Sequence, residues 1–168
     1  IRRGMISGTI TGDYLGEFEQ LVADSCGVRH GVATTSGTTA LALAVATLGL
    51  GPGDEVLVPA LTNIATALAV VYAGAKPVFV DSENITWNLD PARLEEKITP
   101  RTKGIMVVHL YGHPADMDAV IEFAERHGLY VIEDVAEAQG AEYKLRRTGG
   151  IGQIGCLSFF INKVITTG

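Results

Sequence analysis

The feature that most limits how this chain can fold is the regular return of short apolar runs, each followed by a polar turn and then a helix-like segment. The runs are Glu55 to Val58, Pro77 to Val80, Gly104 to Leu110, Leu129 to Ile132 and Gly155 to Phe160. Strand, turn and helix in that repeated order are the mark of a parallel sheet covered on both faces. The prediction is an α/β fold, three layers α/β/α around a mainly parallel sheet. The first helix starts near Asp13 as N-cap, presents Leu15, Phe18, Leu21 and Val22 on one face, and ends at Gly27. A short strand through Val32 and Ala33 follows. Thr38 to Leu48, apolar nearly all round, reads as a buried helix, and Gly51-Pro52-Gly53-Asp54 punctuates it. Helices are also predicted over Asn63 to Tyr72, over Pro91 to Ile98 with Asp90 as cap, and over Met117 to His127. Ala141 to Thr148 reads as a polar hairpin.

Composition removes several function classes. A chain of 168 residues with 47% hydrophobic and 19% charged residues suits one domain with a buried sheet. The net charge of -6 comes with no basic block, so nothing attracts nucleic acid or an anionic membrane face, and a small-molecule partner is expected. The most apolar stretch, Val56 to Val80, is broken by Pro59, Asn63, Lys76 and Pro77, and no signal-peptide pattern opens the chain. The reading is a soluble, cytoplasmic protein. Cys26 and Cys156 lack metal-ligand spacing and read as reduced, and the scattered histidines give no zinc pattern. The chain opens without Met and stops at Thr166-Thr167-Gly168 soon after Lys163, which reads as part of a longer protein. Repeats, low-complexity tracts and linkers are absent from the sequence.

Ligands of open α/β sheets bind outside the carboxyl ends of the strands, and the predicted order puts three chemical groups there. The run Thr34-Thr35-Ser36-Gly37-Thr38-Thr39-Ala40 leads straight into a helix, whose free N–H groups and hydroxyls suit a phosphate dianion. An ordinary Ser/Thr N-cap is the competing reading, and the Gly-Lys-Ser/Thr of a nucleotide P-loop is missing. Asp134 closes an apolar strand, where a carboxylate can keep a pyridine nitrogen protonated; a helix cap is the alternative. Lys163, in Ser158-Phe159-Phe160-Ile161-Asn162-Lys163, reads as a Schiff-base lysine that shuttles a proton, against a plain surface lysine. Glu133 alternates to the other side of its strand and reads as structural, as do His109 and His113.

Gly-Pro-Gly-Asp-Glu-Val, Val-His-Leu-Tyr-Gly, Ile-Glu-Asp-Val-Ala-Glu-Ala and Ser-Phe-Phe-Ile-Asn-Lys-Val-Ile-Thr-Thr-Gly occur in this order. On these blocks the chain resembles the DegT/DnrJ/EryC1/StrS family of sugar aminotransferases, from about Gly12 to Gly168. The resemblance implies the large domain of a fold-type I, aspartate aminotransferase-like enzyme over residues 1–168, with a smaller C-terminal domain beyond it. It also implies pyridoxal 5'-phosphate as cofactor and a homodimer.

By the same resemblance Lys163 matches the lysine that carries the cofactor, Asp134 the partner of the pyridine nitrogen, and Glu137 a position, often Gln, near the phenolic oxygen. Ser158 matches a phosphate-binding serine, Gly37, Thr38 and Thr39 the phosphate turn, and Ala136 a residue packed on one ring face. Asn63 stands where many members place an aromatic residue over the ring, Gln139 replaces a frequent His, and Leu145 a frequent Gly. Lys163 separates the chain from related dehydratases, which carry His there. The implied substrates are an amino-acid donor, glutamate, and a nucleotide-linked 4-keto-6-deoxysugar. Two alternatives stay open: a non-catalytic, truncated cofactor-fold fragment, and an aminotransferase for a 3-keto sugar or another ketone.

Overall fold

A computed structural model describes residues 12–167. Residues 1–11 and Gly168, the last residue of the lysine block, lie outside the described residues, as does the Asp13 side chain with its expected cap. The helices are α1 (Gly12–Cys26), α2 (Gly37–Thr47), α3 (Ile64–Tyr72) and α4 (Met117–His127), and the strands β1 (Glu55–Pro59), β2 (Lys76–Val80), β3 (Thr102–Val108), β4 (Tyr130–Asp134), β5 (Glu142–Tyr143), β6 (Arg146–Arg147) and β7 (Ile154–Cys156). A 5-stranded sheet has the order β2-β1-β3-β4-β7, and every pairing in it is parallel. The antiparallel β5-β6 hairpin falls inside the predicted Ala141 to Thr148 segment.

Successive residues of a strand point to opposite faces, and the core divides accordingly. Leu57, Ile105, Val107 and Val131 pack with Val120, Phe123 and Ala124 of α4. Val56, Val58, Met106, Ile132 and Cys156 pack with Leu41, Ala44 and Val45 of α2 and with Ala69 and Val70 of α3. The result is the predicted three-layer α/β/α arrangement. Each fully buried Val, Leu or Ile is worth about 1.5–3 kcal/mol relative to an exposed one, so covering both faces supplies the main driving force.

Three predicted elements need correction. Val32 and Ala33 form no strand: the Ala33 N–H donates to Glu19 Oε1 at 2.7 Å, so a side chain of α1 takes the place of a neighbouring strand. Over Pro91 to Ile98 only the turn Pro91–Arg93 is helical, a single 3-10 turn capped by Asp90. Leu94 is then drawn into the core, and the next bond, Lys97 N–H to the Leu94 carbonyl, spans three residues rather than four. The last strand stops at Cys156 rather than Phe160, because the Ser158 carbonyl accepts a hydrogen bond from the Gln139 side chain and leaves the sheet.

Candidate functional site

The turn Thr34 to Ser36 is bound to itself before it reaches α2. The Thr34 hydroxyl donates to the Ser36 carbonyl at 2.9 Å. Ser36 is the N-cap: its Oγ accepts from the Thr39 N–H at 3.2 Å, while Thr39 Oγ1 accepts from the Ser36 N–H at 2.9 Å. This reciprocal capping box satisfies one of the N–H groups that every helix start leaves over and consumes the Thr39 hydroxyl. The N–H groups of Gly37 and Thr38 are left at the positive end of the helix dipole, where an anion is favoured. The capping box thus takes Ser36 and Thr39, the latter one of the three residues expected in the phosphate turn, and does not involve Gly37 or Thr38.

Ser158 completes that corner. It lies two residues beyond β7 and is 8% exposed. A β-carbon on Gly37 would stand 2.8 Å from Ser158 Cβ and 3.1 Å from its Oγ, closer than packed atoms tolerate. Gly37 is thus required for the close approach that puts the Ser158 hydroxyl beside the first turn of α2.

Asp134 ends β4 and is 4% exposed. Its Oδ1 accepts from the Ala136 N–H at 3.1 Å and its Oδ2 from the Thr66 hydroxyl at 2.9 Å. Burial pushes its carboxyl up from the usual range, against the opposing effect of these two donors and of the Lys163 charge. An acid held this way gains from a cation facing it. Lys163 is half-buried in the loop after Phe160, with its own N–H bonded to the Phe160 carbonyl at 2.9 Å. Phe159, at the root of that loop, packs edge-on against Phe18 of α1 at 5.1 Å between ring centres.

The structure therefore brings Gly37 and Ser158 into contact and binds Ala136 to Asp134, with the Lys163 charge felt at Asp134. Thr38 sits half-buried in the same first turn of α2. Glu137 and Asn63 are tied locally instead. Glu137 Oε2 accepts from the Tyr111 N–H at 3.0 Å and fixes Tyr111 in a left-handed conformation, φ 51°. Asn63 caps α3 through Oδ1, which accepts from the Ala65 N–H at 3.0 Å. Sequence reading passed over Thr66, although its spacing from the Asn63 cap puts it one turn into α3, on the face turned to the sheet.

Glu133, next to Asp134, points to the other face. It is fully buried with His109, whose Nε2 lies 3.1 Å from Oε2, and it accepts from the N–H groups of Gly149, Ile151 and Gly152. These bonds hold the turn that leads into β7 and onward to Ser158. His113 is exposed, with Nδ1 at 2.9 Å from the Pro114 carbonyl. Burial pushes the Cys156 thiol up to about 12, so it is inert as a nucleophile. Among the described residues no cluster of His, Cys, Asp and Glu could hold a metal ion, and no helix is long and apolar enough to cross a membrane.

Comparison with known proteins follows the same residues. The sequence profile described as the DegT/DnrJ/EryC1/StrS aminotransferase family matches residues 4–168. GDP-perosamine synthase of Caulobacter vibrioides is 57% identical over 157 residues, covering 94% of this chain and 42% of the relative. The UDP-N-acetyl-3-dehydro-alpha-D-glucosamine 3-aminotransferase of Acidithiobacillus ferrooxidans is 54% identical over 145 residues, covering 86% of this chain and 39% of the relative. A putative sugar aminotransferase from Streptococcus pneumoniae, solved in its PLP form, superposes with a TM-score of 0.90 at 33% identity, covering 96% of this chain and 45% of that one. The chain thus spans about two fifths of the length of the curated relatives it matches.

Proposed function

Because the chain belongs to the DegT/DnrJ/EryC1/StrS aminotransferase family, we propose that it transfers an amino group from glutamate to a nucleotide-linked 4-keto-6-deoxysugar with pyridoxal 5'-phosphate as cofactor. The observation that carries this reading is buried Asp134, clamped by Thr66 and Ala136 at the end of β4, on the sheet edge where Gly37 and Ser158 meet, with the Lys163 charge reaching that carboxylate. Residues 1–168 are then the cofactor-binding large domain of a cytoplasmic, homodimeric enzyme.

The residues present suit the cofactor. The Gly37 and Thr38 N–H groups and the Ser158 hydroxyl would hold its phosphate, in a corner that a β-carbon on Gly37 would fill. Asp134 would hold the proton of the ring nitrogen, and a cation there relieves the cost of burying that carboxylate. Ala136 lies beside Asp134 with its N–H already committed to the carboxylate, which leaves its methyl group to pack against a ring. By the family resemblance Glu137 would lie near the cofactor's phenolic oxygen and Asn63 at the position over the ring, each side chain also holding a backbone N–H of its own surroundings.

When bound, pyridoxal phosphate supplies an electron sink that withdraws charge from the reacting carbon. The chain's own part is to place and move protons. Lys163 Nζ would take the proton from the donor's α-carbon and return it on the other side of the transfer, and such positioned proton transfer is worth about 10²–10⁴ in rate. Asp134 would hold the proton of the ring nitrogen, and its burial would keep water from competing for the carboxylate.

Borohydride treatment of the protein with pyridoxal phosphate, followed by peptide mass mapping, tests the reading. The cofactor's mass should be fixed on the peptide that carries Lys163, and an unmodified Lys163 would sink the proposal. The similarity to GDP-perosamine synthase favours a 4-keto sugar. The similarity to a 3-aminotransferase of nearly equal identity supports a second reading, amination at C3. A panel of 3-keto and 4-keto nucleotide sugars assayed with glutamate separates the two.

A further inference from the structure

We propose that Thr66, braced by Thr62, is the positioning residue for Asp134, a two-hydroxyl relay that fixes how the carboxylate meets the ring nitrogen. The inference rests on the cofactor reading above and deepens it. Three observations carry it.

The first is geometry. Thr66 is fully buried in α3, and its Oγ1 donates to Asp134 Oδ2 at 2.9 Å across 68 positions of sequence. The other oxygen, Oδ1, is held at 3.1 Å by the Ala136 N–H. One clamp comes from the carboxylate's own loop and the other from a different element, so the group cannot rotate about its bond to Cβ without losing one of them.

The second is direction. A threonine hydroxyl has one proton. With Asp134 ionised, that proton points to Oδ2, so the contact between Thr62 Oγ1 and Thr66 Oγ1 at 2.8 Å must run from Thr62 to Thr66. Thr62 lies half-buried in the turn between β1 and α3, outside the helix it serves. Thr66 Oγ1 then accepts from Thr62 and donates to Asp134, so both of its hydroxyl contacts favour the orientation that points at the carboxylate.

The third is placement. The Asn63 cap starts α3 at Ile64, and the Thr66 N–H bonds the Asn63 carbonyl at 3.1 Å. The cap therefore fixes the turn on which Thr66 faces β4. Asn63, expected to lie against the cofactor ring, also sets the register of the residue that steadies the ring's partner.

The groups whose charge reaches Asp134 are Lys163, which favours the carboxylate, and Glu137, which opposes it; the Cys156 thiol lies close enough to feel Asp134 in turn. None of these is altered by removing a hydroxyl on α3. Losing a donor to the charged form moves a carboxyl upward.

The test uses the full-length protein with ¹³C-labelled aspartate, the Asp134 signal being assigned by its absence in Asp134→Asn. Without cofactor, Thr66→Val should move the Asp134 titration to higher pH, Thr66→Ser should restore it, and Thr62→Val should move it the same way by less. With pyridoxal phosphate, Thr66→Val should bind about tenfold more weakly, the size of effect one lost hydrogen bond to a charged group supports. A Thr66→Val protein that loses thermal stability while its Asp134 titration matches the wild type would show a merely structural bond and overturn the proposal. So would a Thr66→Ser protein as impaired as Thr66→Val, since size rather than the hydroxyl would then matter. A titration that moves as expected while borohydride leaves Lys163 unmodified would keep the relay and discard the cofactor reading.

Discussion

At the level of single residues, the chemistry-bearing side chains are the legible ones, because a lysine, an aspartate and a Ser/Thr-rich turn at strand ends stand out against an apolar background. Thr66 does not stand out. It sits in a helix of small and branched residues, where a buried threonine looks like Val or Ala until the strand across from it is known. Leu145 is the converse case, a residue whose chemistry is silent and whose backbone is not. It occupies the hairpin turn at φ 67°, after Lys144 at φ 48°, with its side chain 92% exposed. Two left-handed residues in succession match the twist of a two-residue hairpin, which asks for Asn or Gly. A left-handed non-glycine residue costs about 1–2 kcal/mol, of which glycine gives back about 0.5–1 kcal/mol in unfolded-chain entropy. Leu145→Gly should therefore stabilise the protein by roughly 0.5 kcal/mol. The check is the denaturant midpoint at unchanged slope, and a midpoint that falls would refute the strain.

Among elements, strand and helix identity followed from pattern where a run was both apolar and bounded, as for β1, α3 and α4. It failed where a neighbour decided the outcome: Glu19 takes the N–H that a strand at Ala33 would have used, and Gln139 takes the carbonyl of Ser158. Neither partner is near in sequence. Glu55 shows the same non-local control at the other end of the sheet. This 2%-exposed carboxylate opens β1, and it accepts from the Thr99 hydroxyl at 2.6 Å, from Arg101 at 2.9 Å and from Lys76 of β2 at 3.1 Å. The Thr99 bond, then the Arg101 bond, hold its carboxyl down from 4.5 to about 2. A depressed acid stabilises the fold above its unfolded value and loses that contribution as pH falls toward its folded value. Thermal melts should thus show the strand starts loosening as pH drops from about 4.5 to about 2. Glu55→Gln should melt lower than the wild type at pH 5, and the gap should narrow toward pH 2. A gap that stays constant across that window would mean Glu55 acts by shape alone.

For the molecule as a whole, the layered α/β architecture was open to sequence reading because alternating burial leaves its trace in every strand, while the site was visible only as separate pieces. What joins the pieces is the parallel order of the sheet. Asp134 of β4 pairs with Cys156 of β7, and the Val135 N–H bonds the Cys156 carbonyl at 2.8 Å, which carries Ser158 and Lys163 to the same edge. The α2 start then reaches Ser158 across the top of the sheet through the glycine at position 37. Residues separated by most of the chain meet only in the folded state, so a ligand that needs all of them binds that state alone. Linkage then predicts a stabilisation of about 2.7 kcal/mol at a free pyridoxal phosphate concentration of 100 Kd. For a chain of this size that is roughly a 5–10 °C rise in melting temperature. Gly37→Ala forces its methyl onto Ser158 and should remove most of the rise, because the added carbon fills the phosphate corner while β4 stays in place. Melting curves with and without cofactor, on the wild type and on Gly37→Ala, measure both quantities. An equal rise in the two proteins would show that the phosphate does not sit at the α2 start, and with it would go the placement of the whole cofactor across this edge of the sheet.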